Sequence, residues 1–362
     1  MNNRIIKNRI KTIRRLLNKK KINSLLVTKP ANVTYTTAFL GADSWAVITP
    51  RAVYLLTDSR YTEQAKAECS NCRIIERTAA LPEATGKLLK KLKSVQTAAI
   101  EKSASLTDFE MVKKNIKGHL KSTANIIESV RSIKDNSEIA AIKKAAQIAA
   151  QALGKIRRYI KPGITENELA GVLDFQIRKA AAFNSFETIV AFGPNASRPH
   201  HQPSSRKLKK NDTILIDFGI RYKGYCCDLT RCFAVGRVTH LYKKVCDAVQ
   251  KAQAAALKMV KAGVPIKKVD AAARKVIAGH NLPVYGHGTG HGLGLEIHEE
   301  PVLNAENKGK LKAGEIITIE PGVYVPGKLG IRIEDDVLVT QTGYKILTQP
   351  QFGAGLTHNR PH

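Results

Sequence analysis

Apolar residues at Ile6, Ile10, Ile13 and Leu17 recur in steps of four, three and four, so residues 1–22 predict a helix with one buried face. Short apolar runs bounded by turn residues follow, and they predict strands at Ser24 to Val27, Trp45 to Ile48 and Val53 to Leu56, the first ending at Lys29-Pro30. Helix formers dominate 61–68 and 83–93, while Gln96 to Ile100 and Ile126-Ile127 read as further strands. These elements predict a compact α/β unit without a cluster of ligand-type residues. The clearest helical period begins after Asn136-Ser137, expected as N-cap, and runs through Ile139, Ile142, Ala146, Ala149, Leu153, Ile156 and Ile160 to Pro162-Gly163. Further helices are predicted at 166–182, 241–262 and 266–279, with strands between and after them, which is an α+β layout around an antiparallel sheet.

Composition narrows the classes. A chain of 362 residues with 43% apolar content can bury a sizeable core and suits two domains. It contains no run of about 18 apolar residues and no apolar leader at its N-terminus, so the expected location is the cytoplasm, with no membrane partner. The net charge of +29 is uneven, since ten basic residues precede the first acid, Asp43. A basic targeting helix is one reading of residues 1–22, and an opening helix of the first domain is the other. No aromatic single-strand platform or groove-reading motif accompanies the charge, so nucleic acid is not the expected partner. Six cysteines at 69, 72, 226, 227, 232 and 246 form neither a disulfide framework nor a zinc set and read as reduced thiols.

Chemistry concentrates in the second half. Thr213 to Asp228 reads as a hairpin with its turn near Tyr222 to Gly224, and reflection between Tyr222 and Lys223 would set Asp217 and Asp228 opposite each other. Like charges there repel unless a cation bridges them. The segment 286–301 packs His287, His291 and His298 among five glycines, which let backbone approach a ligand closely. Glu320 and Glu334 close apolar strands, with Arg332 placed to neutralise a ligated carboxylate, while Asp335 and Asp336 read as solvated strand-end acids. His200 and His201 sit on a loop that could bring a donor to a developing oxyanion. Asp217, Asp228, His291, Glu320 and Glu334 supply four carboxylates and an imidazole, nearly enough charge to balance two divalent ions, and this oxygen and nitrogen set suits Mn²⁺, Co²⁺ or Zn²⁺. A metal-dependent hydrolase is the leading expectation.

These segments resemble those of the pita-bread metallopeptidases, the group that includes methionine aminopeptidase, prolidase, aminopeptidase P and creatinase. The resemblance rests on Asp217-Phe-Gly, Asp228-Leu-Thr-Arg231, the His287 to His298 loop, Glu320-Pro-Gly-Val-Tyr324 and Ile331-Arg-Ile-Glu-Asp335. Tyr54 to Tyr61 and Arg131-Ser-Ile-Lys134 are similar to the creatinase-type N-terminal domain of prolidase and aminopeptidase P, which methionine aminopeptidases lack. The resemblance implies a smaller α/β creatinase-like domain at 1–128 and a pita-bread catalytic domain at 129–362, an antiparallel sheet flanked by helices. It implies hydrolysis of the bond before proline in short peptides with proline at the second position, by an Xaa-Pro aminopeptidase or dipeptidase.

Carried over residue by residue, Asp217 would hold one metal, His291 and Glu320 the other, and Asp228 and Glu334 both, with a bridging hydroxide as nucleophile. The ions would be Mn²⁺ first, with Co²⁺ or Zn²⁺ as alternatives. His200 and His298 would stabilise the tetrahedral intermediate or bind the substrate carbonyl, Glu320 would shuttle a proton, and His287, Tyr324 and Arg332 would support them. His200 is preferred to His201 because the family pattern is Pro-His followed three residues later by Pro or a small residue, here Pro203. Cys226-Cys227 and His201 depart from that pattern. A homodimer through the N-terminal domain is also implied. Two alternatives remain, creatinase-like C–N hydrolysis and a non-catalytic module binding protein or nucleic acid. Both would be expected to have lost ligands, whereas this chain retains all five.

Overall fold

The computed structural model describes residues 3–92 and 95–348. It divides into two compact units, Met1–Arg131 and Ser132–His362. The first is a six-stranded mixed sheet in the order Arg73–Glu76, Val53–Thr57, Trp45–Ile48, Ser24–Val27, Thr97–Glu101, His119–Thr123. The opening helix Asn3–Lys19 buries Ile6, Ile10, Ile13 and Leu17, as its spacing predicts, and so forms part of this unit. The expected helix at 83–93 is found as Leu81–Lys91, and residue 93 lies outside the described residues. Ile126-Ile127 does not form a strand. It opens the helix Ile126–Arg131, which buries both isoleucines.

In the second unit every strand pair is antiparallel. The first long helix, Asn136–Ile156, is capped one residue earlier than expected. Asp135 accepts from the backbone of Ser137 and Glu138, and the Glu138 side chain answers the Asp135 N–H at 3.0 Å, a reciprocal capping box. This helix and Glu166–Lys179 pack Ala149, Leu153, Leu169, Leu173 and Ile177 against Ile214, Ile216, Phe218 and Ile220 of the strand Thr213–Tyr222. Leu215, from the opposite face of that strand, belongs to a second core with the helices His240–Met259 and Ile266–Gly279. Alternation of side chains along a strand therefore sends Asp217 to the face that Leu215 occupies, away from the first helix pair. No helix among the described residues is long and apolar enough to cross a membrane.

Candidate metal centre

The hairpin Thr213–Tyr222 and Tyr225–Ala234 turns on Lys223 and Gly224, both at positive φ, 50° and 86°. Its centre lies one residue later than the sequence reading placed it, so Asp217 pairs with Thr230 and Asp228 with Gly219. The two aspartates are diagonal rather than directly opposed. The two-residue turn formed here has positive φ at both positions, which glycine takes freely and a bulky Tyr222 does not. Because the pairing shifts by two residues, both aspartates stay on one face.

Across from this face, the short strand Gly290–Gly292 carries His291. A Cβ on Gly290 would lie 1.9 Å from the Thr318 carbonyl oxygen, so only glycine lets the histidine strand meet Ile316–Ile319 at this distance. Gly290→Ala is expected to cost about 2–3 kcal/mol, measured by thermal unfolding, with a loss of metal affinity because His291 moves with its backbone. The His291 N–H donates to Thr318 Oγ1 at 3.0 Å, and Nδ1 lies 3.0 Å from the Gly292 carbonyl. With its proton held at Nδ1, the ring offers Nε2 as a lone pair. That atom is 3.6 Å from Asp228 Oδ2 and 3.5 Å from Glu320 Oε1. Burial pushes the imidazole pKa down and keeps it neutral.

Glu334 stands between the strands Leu329–Arg332 and Asp335–Val339, with its Oε2 accepting from Thr230 Oγ1 at 2.6 Å. Asp228, His291 and Glu334 each offer a ligand atom within 4.8 Å of the others. Glu320, just past Ile316–Ile319, accepts from Thr318 Oγ1 at 3.2 Å. Asp217 Oδ1 and Asp228 Oδ1 are buried without a hydrogen-bond partner. Burial, then the negative charge of neighbours that include Asp217 and Glu320, drives the Asp228 and Glu334 carboxyls well above their usual range. Burial first, with Asp217 adding to it against Arg332, pushes Glu320 up to about 7. Crowded buried acids with orphaned oxygens and a neutral imidazole are what a divalent cation requires.

Residues 140–341 match the family model described as Metallopeptidase family M24, and residues 9–133 match that of the Creatinase/Prolidase N-terminal domain. The chain belongs to metallopeptidase family M24. An uncharacterized peptidase of Bacillus subtilis is 36% identical over 94% of this chain and 97% of its own length. Among solved structures, an Xaa-Pro dipeptidase from Bacillus anthracis is 34% identical with a TM-score of 0.91, covering 95% of this chain and 98% of its own. An X-Pro aminopeptidase from Thermotoga maritima is 35% identical with a TM-score of 0.86, covering 93% and 97%. The expected architecture, a creatinase-like N-terminal domain followed by an α+β pita-bread domain, is that of this M24 chain.

Around the acids of this M24 site, Arg332 binds Asp217 through Nη2 and Tyr324 Oη through Nη1 at 2.7 Å. The sequence reading set Arg332 on one strand face with Glu334. The strand ends at Arg332, and the hydrogen-bonded link from its guanidinium to Glu334 runs through the Thr230 hydroxyl, 3.1 Å from Arg332 Nε, while its charge also opposes the rise in the Glu334 carboxyl pKa. His287 lies 2.7 Å from the Gly288 carbonyl through Nδ1 and 3.1 Å from Tyr324 Oη through Nε2, and burial lowers its pKa to about 4. The His298 ring stands edge-on to His291 with centroids 4.5 Å apart, and burial lowers its pKa too. His200 is exposed and follows Pro199, whose carbonyl accepts from Arg332 at 3.4 Å. His201 turns away and lies 2.8 Å from Glu166.

Asp335 and Asp336 are not the solvated acids the sequence suggested. Asp335 is buried against Arg231 at 2.7 Å, Thr348 at 2.7 Å and Gln253 at 2.9 Å. Asp336 is fully buried and accepts the Asp228 N–H at 3.1 Å, so it props the strand that carries a candidate ligand. Sequence reasoning also passed over Thr230 and Thr318, each of which holds a candidate carboxylate. The signal was present, since both lie two residues from a ligand candidate in an extended segment and share its face.

Proposed function

We propose that this protein hydrolyses the peptide bond preceding proline in short peptides, with Asp217, Asp228, His291, Glu320 and Glu334 holding two divalent ions, Mn²⁺ first among them. The convergence of Asp228, His291 and Glu334 within 4.8 Å, beside carboxylate oxygens that have no other partner, is the observation that carries this reading. When bound, the ions supply Lewis-acid activation of water and of the scissile carbonyl. Prolyl bonds suit such a site because proline fixes φ and has no N–H for an enzyme to grip. Glu320, its carboxylate beside His291 at 3.5 Å, takes the proton of the attacking water and returns it to the leaving nitrogen. His298, beside His291, and His200, from its loop, donate hydrogen bonds to the carbonyl oxygen as charge develops there. Tyr324 and Arg332 keep His287 and Asp217 oriented through the bonds described above.

Both a dipeptidase and an aminopeptidase stand among the similar structures. Metal-stripped protein reconstituted with Mn²⁺ is expected to cleave Ala-Pro or Ala-Pro-Ala, and to stop when a chelator is added. Cleavage of the dipeptide alone identifies a dipeptidase, and cleavage of the tripeptide an aminopeptidase. Absence of chelator-sensitive cleavage of both overturns the proposal.

A further inference from the structure

Glu166 touches none of the proposed ligands, yet it is fully buried at the first turn of the helix Glu166–Lys179. Its Oε1 accepts from the Phe192 N–H at 2.7 Å and from Asn195 Nδ2 at 2.9 Å. Its Oε2 accepts from the Ser204 N–H at 3.0 Å and from the Ser204 hydroxyl, and lies 2.8 Å from His201 Nε2. Burial alone would raise this carboxyl pKa, but the bonds from His201, Ser204, Phe192 and Asn195 bring it below the usual range. The helix does not need this acid as a cap. Thr165 and Glu168 already form a reciprocal capping box, with Thr165 Oγ1 accepting from the Glu168 N–H at 3.1 Å and Glu168 answering at 2.8 Å.

Every group bonded to the Glu166 carboxylate lies on the segment 192–204, the loop that carries His200. His200 stands between two anchored neighbours. On one side the Pro199 carbonyl accepts from Nη1 and Nη2 of Arg332, both at 3.4 Å. On the other the His201 ring is pinned to Glu166. The intervening His200 is itself exposed, and it follows directly on the Pro199 carbonyl held by Arg332, the same guanidinium that binds Asp217.

We propose that Glu166 is a positioning residue for His200, acting through His201 and Ser204 to hold the loop so that the His200 imidazole faces the site. This rests on the role given to His200 under Proposed function. It also explains the histidine at 201, where the family pattern has a small residue: its imidazole is a brace on Glu166 and takes no part in chemistry.

Glu166→Gln tests the proposal, because both carboxylate oxygens meet only donors and an amide must present its NH₂ to one set of them. Against a proline dipeptide or tripeptide with Mn²⁺ loaded, the variant is expected to lose about 10–100-fold in kcat, the range seen for residues that orient a ligand or catalytic group, with a smaller change in KM and unchanged metal content. In a His200→Ala background the same substitution is expected to cause no further loss, since the group it positions is gone. Additive losses in the double variant overturn the proposal and leave Glu166 a structural anchor. A silent Glu166→Gln beside an impaired His200→Ala overturns it too. A silent His200→Ala instead overturns the role of His200, separating that failure from this one. If Glu166→Gln lowers the folded yield, Ser204→Ala at a half-buried position runs the same cycle. Its smaller loss is expected to vanish without His200, and an additive loss again overturns the assignment.

Discussion

Asp228→Asn will abolish hydrolysis and lower the metal content of the protein while leaving it folded. Asp228 is buried among Glu334, Asp217, Asp336 and Glu320, which with burial hold its carboxyl well above its ordinary range. Its backbone N–H is fixed by Asp336, and Asn keeps that bond and the shape of the side chain. What the amide lacks is the charge that a cation needs. A loss of several kcal/mol of transition-state stabilisation corresponds to a fall in kcat/KM on the order of 10³-fold or more. Since the apo protein suffers from crowded acids, removing one should keep or raise its melting temperature. Activity, metal analysis and thermal unfolding together check the expectation, and unchanged turnover at full metal content would sink the assignment.

Metal affinity should climb with pH, and the Glu320 part of that climb should be complete once its carboxyl ionises near 7. Asp228 and Glu334 are pushed well above the carboxylate range and Glu320 to about 7, each first by burial, so at pH 6 the apo site holds protons that a cation must expel. The sign follows from the raised values: binding releases protons wherever these carboxyls still hold them, and each one displaced adds about tenfold in affinity per pH unit. His291 works the other way, because burial lowers its pKa and favours the neutral ring that offers the lone pair. Calorimetric titration with Mn²⁺ at pH 6 and pH 8, in two buffers of different ionisation enthalpy, measures the release. The signal should depend more strongly on buffer at pH 6 than at pH 8, because Glu320 ionises between the two. Absence of proton release at pH 6 would show that the carboxylates are already ionised in the apo site.

Strong periodicity made the opening helix and the four helices of the second unit legible, because each buries one face against a core. Short elements were not. Ile126-Ile127 misled because two β-branched residues make an apolar run that periodicity cannot assign, and the helix that buries them is only six residues long. Lys29-Pro30 marks the end of a strand in the sequence, but Pro30 also opens the helix Pro30–Thr37, a position where its missing N–H is harmless. The edge strand His119–Thr123 passed unnoticed, since it is largely exposed and carries no alternation.

At the site, the sequence by itself determined which residue types could ligate a cation, their order, and their placement at strands and strand ends, because extended geometry and apolar context are local properties. Even the shared face of Asp217 and Asp228 was local, since any register shift by two residues preserves it. Tertiary structure alone decided the diagonal pairing of those aspartates, the choice of Asp217 as the partner of Arg332, and the burial of Asp335 and Asp336. It also decided that Glu166 would reach a loop 26 to 38 residues further along the chain. Each of these depends on contacts between distant segments, which form only when strands and loops from several parts of the chain pack together and leave a buried charge with one available neighbour.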